Sequence, residues 1–252
     1  MSRCIDLNCD LGEGHTLASA DLDQKLMQFI SSCSIACGGH AGSPETMHRS
    51  AMNAIKAGLR IGAHPSYPDK QGFGRHSQAL PEHELRQSIS EQIRHLKHIV
   101  DGLGGELSFV KPHGALYNDM ARDAERGLLL LETVNVIDPG LKVMGLAGSL
   151  VGPLCDEMNI EFISEAFADR RYLDNGQLTP RSEPDAVISD SKTAADQIIS
   201  LALHAGVTSI SNRWVSVNAQ SVCIHSDTPG ALEHLESIHN ELIAHGFTIA
   251  ST

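Results

Sequence analysis

The chain has 252 residues, 41% hydrophobic and 20% charged, which is enough apolar material for one sizeable core and too much for a disordered tract. Nineteen Lys and Arg against 31 Asp and Glu leave a net charge of −12, removing the electrostatic basis for general nucleic-acid binding or attachment to an acidic membrane. A local basic cleft for an anionic ligand is still compatible with that total, because net charge averages over the whole surface.

From the amino end, Cys4 to Cys9 reads as a strand entering the glycine-opened loop Asp10-Leu11-Gly12-Glu13-Gly14, and Asp21 to Ile30 as a helix. Ser34 to Cys37 is a second short apolar run ending in Gly38-Gly39-His40-Ala41-Gly42. Ser43 and Pro44 then cap and open a helix that Gly58 ends. Leu59 to Ala63 is a third strand, stopped at His64-Pro65. The alternation continues through helix Pro81–Val100, strand Leu107–Lys111, helix Ala121–Val136, strand Lys142–Leu146, helix Leu150–Met158 and strand Glu161–Ser164. It closes with helix Lys192–Ala205, strand Ser221–His225 and helix Pro229–His245. About seven β/α units without a composition break predict a single domain over 1–252 and favour a closed α/β barrel, although an open doubly wound sheet has nearly the same local pattern. The polar stretch Ala168–Pro184 has no period and is read as a functional loop.

The six cysteines, Cys4, Cys9, Cys33, Cys37, Cys155 and Cys223, are irregularly spaced with no local C-x-x-C pair, so free thiols are expected. The amino end becomes polar too early for a signal peptide or a membrane span, making the cytoplasm the default location. Cys37 precedes His40, but its apolar strand position predicts burial rather than a nucleophile. There is neither a G-x-S-x-G elbow nor a G-x-x-x-x-G-K-[ST] phosphate loop.

In parallel β/α folds the residues just past the strand carboxyl ends gather on one face. That rule collects Asp10 and Glu13 after the first strand, His40 after the second, His64 after the third, His113 after the fourth, Glu165 after the sixth, and His225 with Asp227 after the last. Asp10, His40, His64 and His113 suit a divalent transition metal. The alternative is a metal-free acid/base cleft built from the same imidazoles and carboxylates. Lys111-Pro112-His113-Gly114 places a cation and an imidazole together at a strand end, and Gly72-Phe73-Gly74-Arg75 offers Arg75 to an anion. In Glu165-Ala-Phe-Ala-Asp169-Arg170, Asp169 is the expected general base, its basicity balanced between desolvation and Arg170. The glycines of Gly145-Leu146-Ala147-Gly148-Ser149 would admit a phosphate to a helix amino end.

The blocks DLNCDLGEG at 6–14, ACGGHAG at 36–42, IGAHPSYPDKQGFGR at 61–75, KPHGALYN at 111–118, GLAGS at 145–149, EAFADRRY at 165–172 and SVCIHSDTPGA at 221–231 closely resemble the LamB/YcsF family over almost the full length. The departure is Gly39, where the family pattern commonly has an aromatic residue. The resemblance implies a distorted, about seven-stranded β/α barrel of the glycoside hydrolase/deacetylase superfamily. It also implies the role of the A component in an ATP-hydrolysing 5-oxoprolinase that acts with subunits B and C on 5-oxoproline. In that chemistry Lys111 and Arg75 would stabilise anionic oxygens, Asp169 or Glu165 would activate water, and His113 would protonate the departing nitrogen. Asp10, Glu13, His40, His64, Arg170, His225 and Asp227 would contact substrate or, for Asp10 and the histidines, hold an optional metal. ATP is then a co-substrate, and self-association is left open. The competing readings are a metal-dependent deacetylase-like hydrolase and a non-catalytic module that binds a small molecule or another protein of the assembly.

Overall fold

The computed structural model describes residues 3–14, 16–226 and 230–251. Six strands in chain order, β1 (Arg3–Leu11), β2 (Ser32–Ala36), β3 (Arg60–His64), β4 (Leu107–Val110), β5 (Lys142–Leu146) and β6 (Phe162–Phe167), pair in parallel, each with the next. After a small antiparallel hairpin, β7 (Gly206–Thr208) with β8 (Trp214–Ser216), strand β9 (Ser221–Cys223) inserts between β6 and β1. Ser221 is in register with Glu165 on one side and Asp6 on the other, so the seven strands close into a barrel. This settles what periodicity left open between a closed barrel and an open sheet. A further strand, β10 (Phe247–Ile249), pairs with the outer end of β1.

The helices that cover the barrel are α1 (Leu17–Leu26), α2 (Pro44–Ala57), α3 (Glu82–Gly102), α4 (Gly114–Met120), α5 (Ala124–Ile137), α6 (Val151–Met158), α7 (Ser191–His204) and α8 (Ala231–Ala244). Their ends follow capping chemistry. Ser43 accepts from the Thr46 amide ahead of Pro44, and Gly58 closes α2 with a left-handed φ of 70°. The helix expected from Ala121 begins instead at Ala124, because the Asp123 carboxylate caps the amides of Glu125 and Arg126. The short α4, the β7–β8 hairpin and β10 were not anticipated. All are brief segments whose pairing or packing partners are distant in the chain. Among the described residues no helix is long and apolar enough to cross a membrane.

Period-two alternation decides what faces where. In β1, Leu7, Cys9 and Leu11 point outward into the main apolar layer under the helices, while Asp6, Asn8 and Asp10 point into the barrel. The interior is divided. Phe109, Met144 and Ile163 form an apolar plug on one side. On the other, Asp6 accepts from Ser31 and Ser32 and pairs with Arg60, and Asn8 donates to Ser221. Asp6, Arg60 and Asn8 are thus partnered by neighbouring polar groups, as burial demands.

Candidate active site

A cavity of about 850 Å³ opens at the carboxyl ends of the strands. Of the residues collected from the sequence, Asp10, Glu13, His64, Arg75, Lys111, His113, Glu165, Arg170 and His225 line it. His40 and Asp169 stand immediately behind the wall, each against a lining residue. Asp227 lies outside the described residues.

The floor is a buried charge network. Lys111 Nζ donates to Glu165 Oε1 at 2.8 Å, to Asn8 Oδ1 at 2.9 Å and to Cys223 Sγ at 3.6 Å, and forms an ion pair with Asp10 Oδ1 at 2.6 Å. An ammonium has three protons and all three are engaged, so Lys111 acts on the cavity through its charge and its partners. Burial opposes the charge, but Asp10 and Glu165 outweigh it and hold the Lys111 ammonium well above its ordinary range. Burial likewise opposes ionisation of Asp10, yet His64 and Lys111 bring its carboxyl well below the usual range. The second oxygen of Glu165 accepts from Tyr117 at 2.8 Å. Asn8 and Tyr117 escaped the sequence reading. The strict alternation Ile5-Asp6-Leu7-Asn8-Cys9-Asp10-Leu11 carries a signal for Asn8, whereas Tyr117 sits on the unanticipated α4.

Two further groups meet this floor. On one side Glu13 Oε1 lies 3.0 Å from His40 Nε2 and 3.2 Å from His113 Nδ1, and His64 Nε2 lies 3.0 Å from His113 Nδ1. Potential ligand atoms of Glu13, His40, His64 and His113 all fall within 4.8 Å of one another. Burial pulls the His40 imidazole down to about 4, so its ring is neutral near pH 7. The GFG loop presses on this group: Phe73 has a φ of 53°, its carbonyl accepts from His113 Nε2 at 2.9 Å, and its ring packs edge-on against His40 and His113. Arg75 lies over the Phe73 ring, 5.0 Å from its centroid. Gly39 is explained by the same neighbourhood. A Cβ there would stand 2.4 Å from Gln92 Oε1 and 2.5 Å from Ser66 Oγ, so hydrogen-bonded Ser66 and Gln92 fill the room an aromatic residue would need.

On the other side, His225 Nδ1 donates to Asp169 at 2.8 Å and its backbone amide to the same carboxylate at 3.1 Å. Burial disfavours the His225 cation, but the Asp169 charge and hydrogen bond prevail and raise it above its ordinary value. Reciprocally, burial is overcome at Asp169 by His225, which lowers that carboxyl. Asp169 is therefore turned toward His225, whose Nε2 makes no hydrogen bond among the described residues. The segment 168–184 supplies the wall from Asn175 to Arg181. Tyr172 anchors it by accepting from the Phe167 amide at 2.7 Å, and Arg170 does so by donating to the Thr179 carbonyl at 2.7 Å. Arg75, Arg122, Arg170 and Arg181 make this part of the lining cationic despite the overall charge of −12. Cys37 is buried, and burial pushes its thiol up to about 12, which leaves no thiolate for nucleophilic attack.

A sequence profile of the LamB/YcsF family matches residues 5–252. The chain belongs to the LamB/YcsF family. Family relatives include the 5-oxoprolinase A-subunit of Haemophilus influenzae (strain PittEE), 42% identical over 94% of this chain and 95% of the relative. The protein of the same name from Pyrococcus abyssi (strain GE5 / Orsay) is 40% identical over 94% of each. Among solved structures, the lactam utilization protein of Thermus thermophilus superposes with a TM-score of 0.92 at 34% identity, covering 98% of this LamB/YcsF chain and 99% of the other. A more distant structure from Enterococcus faecalis V583, 10% identical with a TM-score of 0.55, shares the fold alone. These likenesses support a 5-oxoprolinase-related, hydrolase-like role for this family member.

Proposed function

We propose that this chain is the lactam-handling component of a 5-oxoprolinase, opening 5-oxoproline to L-glutamate with hydrolysis of ATP to ADP and phosphate, and that it acts with subunits B and C. The observation that carries the reading is full-length similarity to proteins named as the A-subunit of 5-oxoprolinase. The cavity fits that chemistry, since proton-carrying side chains face cationic ones across it.

The lactam amide is resonance-stabilised, and phosphoryl transfer from ATP to its oxygen would create an electrophilic carbon. Water adds there, the C–N bond breaks as the nitrogen takes a proton, and a second water hydrolyses the resulting acyl phosphate. His225, held by Asp169 through Nδ1, is placed to give that proton, because among the described residues its Nε2 makes no hydrogen bond and its raised affinity keeps it protonated to higher pH. On this reading the proton donor is His225 in place of His113, and Asp169 orients that ring instead of acting as the general base. Arg75 and Arg170 would hold anionic oxygens, while Lys111 and Glu165 set the potential beneath them. The volume lies toward the upper end of the roughly 300–1,000 Å³ common for ligand pockets, leaving room for a phosphoryl group beside a small ring. A reducing, cytoplasmic setting suits the six free thiols.

The test is to combine the purified chain with subunits B and C and measure ADP and glutamate formed from 5-oxoproline and ATP, omitting each component in turn. Stoichiometric products that require this chain are expected. Absence of ATP-dependent glutamate from the complete mixture would overturn the proposal. The cluster around Glu13 favours a second reading, a deacetylase-like hydrolase; ATP-independent amide cleavage by the chain alone would support that one instead.

A further inference from the structure

We propose that Glu13, His64 and His113 bind one divalent transition-metal ion of the zinc class, with His40 as a positioning residue for Glu13; this site stands whatever the substrate is. The argument begins with which ring nitrogens carry hydrogen. His64 Nδ1 lies 2.7 Å from the Lys111 carbonyl oxygen and His113 Nε2 lies 2.9 Å from the Phe73 carbonyl oxygen. A carbonyl can only accept, so both of these nitrogens are N–H donors. In neutral rings the opposite nitrogens, His64 Nε2 and His113 Nδ1, are then lone pairs, and they face each other at 3.0 Å. The Glu13 Oε1 atom joins them, 3.2 Å from His113 Nδ1 and 3.9 Å from His64 Nε2. Asp10 Oδ2 also approaches, 3.3 Å from His64 Nε2, so electron-rich atoms converge on the two imidazoles and a proton or a cation has to hold them together.

The triangle of His64 Nε2, His113 Nδ1 and Glu13 Oε1 has the size a metal requires. The point equidistant from its three corners lies about 2 Å from each, the length of a zinc–imidazole or zinc–carboxylate bond. Each histidine is oriented by a backbone carbonyl on its far nitrogen, the outer-shell support usual for metal-ligating imidazoles. All three residues line the cavity, so a substrate atom or water has access to an open coordination position. Two imidazoles and one carboxylate form a donor set suited to zinc, cobalt, manganese or ferrous iron.

His40 is chemically different. Its Nε2 lies 3.0 Å from Glu13 Oε1, while its Nδ1 is buried without a partner. Ligation through Nε2 would leave an Nδ1–H buried and unpaired, whereas donation of Nε2–H to Glu13 leaves only a bare lone pair there, at lower cost. Its ring stacks on His113 at 3.7 Å and fixes that ring's plane. Asp10, also expected from sequence among the ligands, keeps Oδ2 3.3 Å from His64 Nε2 while its other oxygen pairs with Lys111; we assign the carboxylate position to Glu13 because Glu13 also reaches His113 and His40.

The rival account is a proton shared between His64 and His113, and metal titration separates the two. The full-length chain, stripped with chelator, is titrated with Co²⁺ alone and followed by visible absorption, gel-filtration retention and metal analysis. One ion per chain, with ligand-field bands that Zn²⁺ abolishes, is expected. His64→Gln and His113→Gln should each weaken Co²⁺ binding by more than about 100-fold, and His40→Ala by about 10–100-fold, with circular dichroism unchanged. Failure of the wild-type chain to retain Co²⁺ or Zn²⁺ would overturn the site, as would undiminished binding in folded His64→Gln/His113→Gln. If those variants do not fold, the wild-type titration decides alone.

Discussion

Single side chains in this protein derive their chemistry from their neighbours. His225 is raised because the Asp169 carboxylate outweighs burial, so Asp169→Asn should move the His225 titration, followed by NMR of its ring carbons, to lower pH. An unchanged titration would show that Asp169 does not set it. The pair also links stability to pH. Lowered Asp169 contributes above its unfolded value of about 4 and loses that contribution as pH falls through its folded value. Raised His225 contributes below about 6.5 and loses its contribution as pH rises through its folded value. Wild type should therefore exceed Asp169→Asn in urea stability most clearly between those limits. Lys111→Met removes the cation that offsets buried Asp10 and Glu165, and should cost about 3–5 kcal/mol in urea unfolding at neutral pH. A loss under about 1 kcal/mol would mean the network relaxes.

Within elements, close contacts set what a position tolerates. On β3, Gly62 sits against the Phe109 ring of the neighbouring strand, where a Cβ would fall 2.2 Å from Phe109 Cε2. Gly62→Ala should destabilise by about 1–3 kcal/mol through overpacking of the barrel interior, measured as a lower urea midpoint with an unchanged slope. The double change Gly62→Ala/Phe109→Leu should recover part of the loss, and no recovery would place the strain elsewhere. The strands and the longer helices were legible because their apolar period and caps are local, as at Ser43 and Gly58. The hairpin and β10 were not, because three residues carry almost no period and their pairing is decided across the fold.

For the whole molecule, closure is the decisive event. β9 bonds to both β6 and β1, joining the two edges of the sheet into a ring. Hydrogen exchange should therefore find the β1 and β9 ladder amides opening only with global unfolding. The amides of β10, which pairs with β1 outside the ring, should open at lower free energy. Equal protection of β10 and β9 would make the outer strand part of the same cooperative unit.

The sequence by itself determined the order of strands and helices and which loops carry the polar groups, since period, caps and strand-end positions are written in neighbouring residues. Its blocks also carried the family. Tertiary structure alone decided that Asp169 is hydrogen-bonded to His225, that acceptors surround the Lys111 ammonium, and that Glu13 comes within reach of His40, His64 and His113. Those outcomes depend on distances of about 3 Å between residues from different strands, and hydrogen bonding and coordination fall away within an ångström beyond that range.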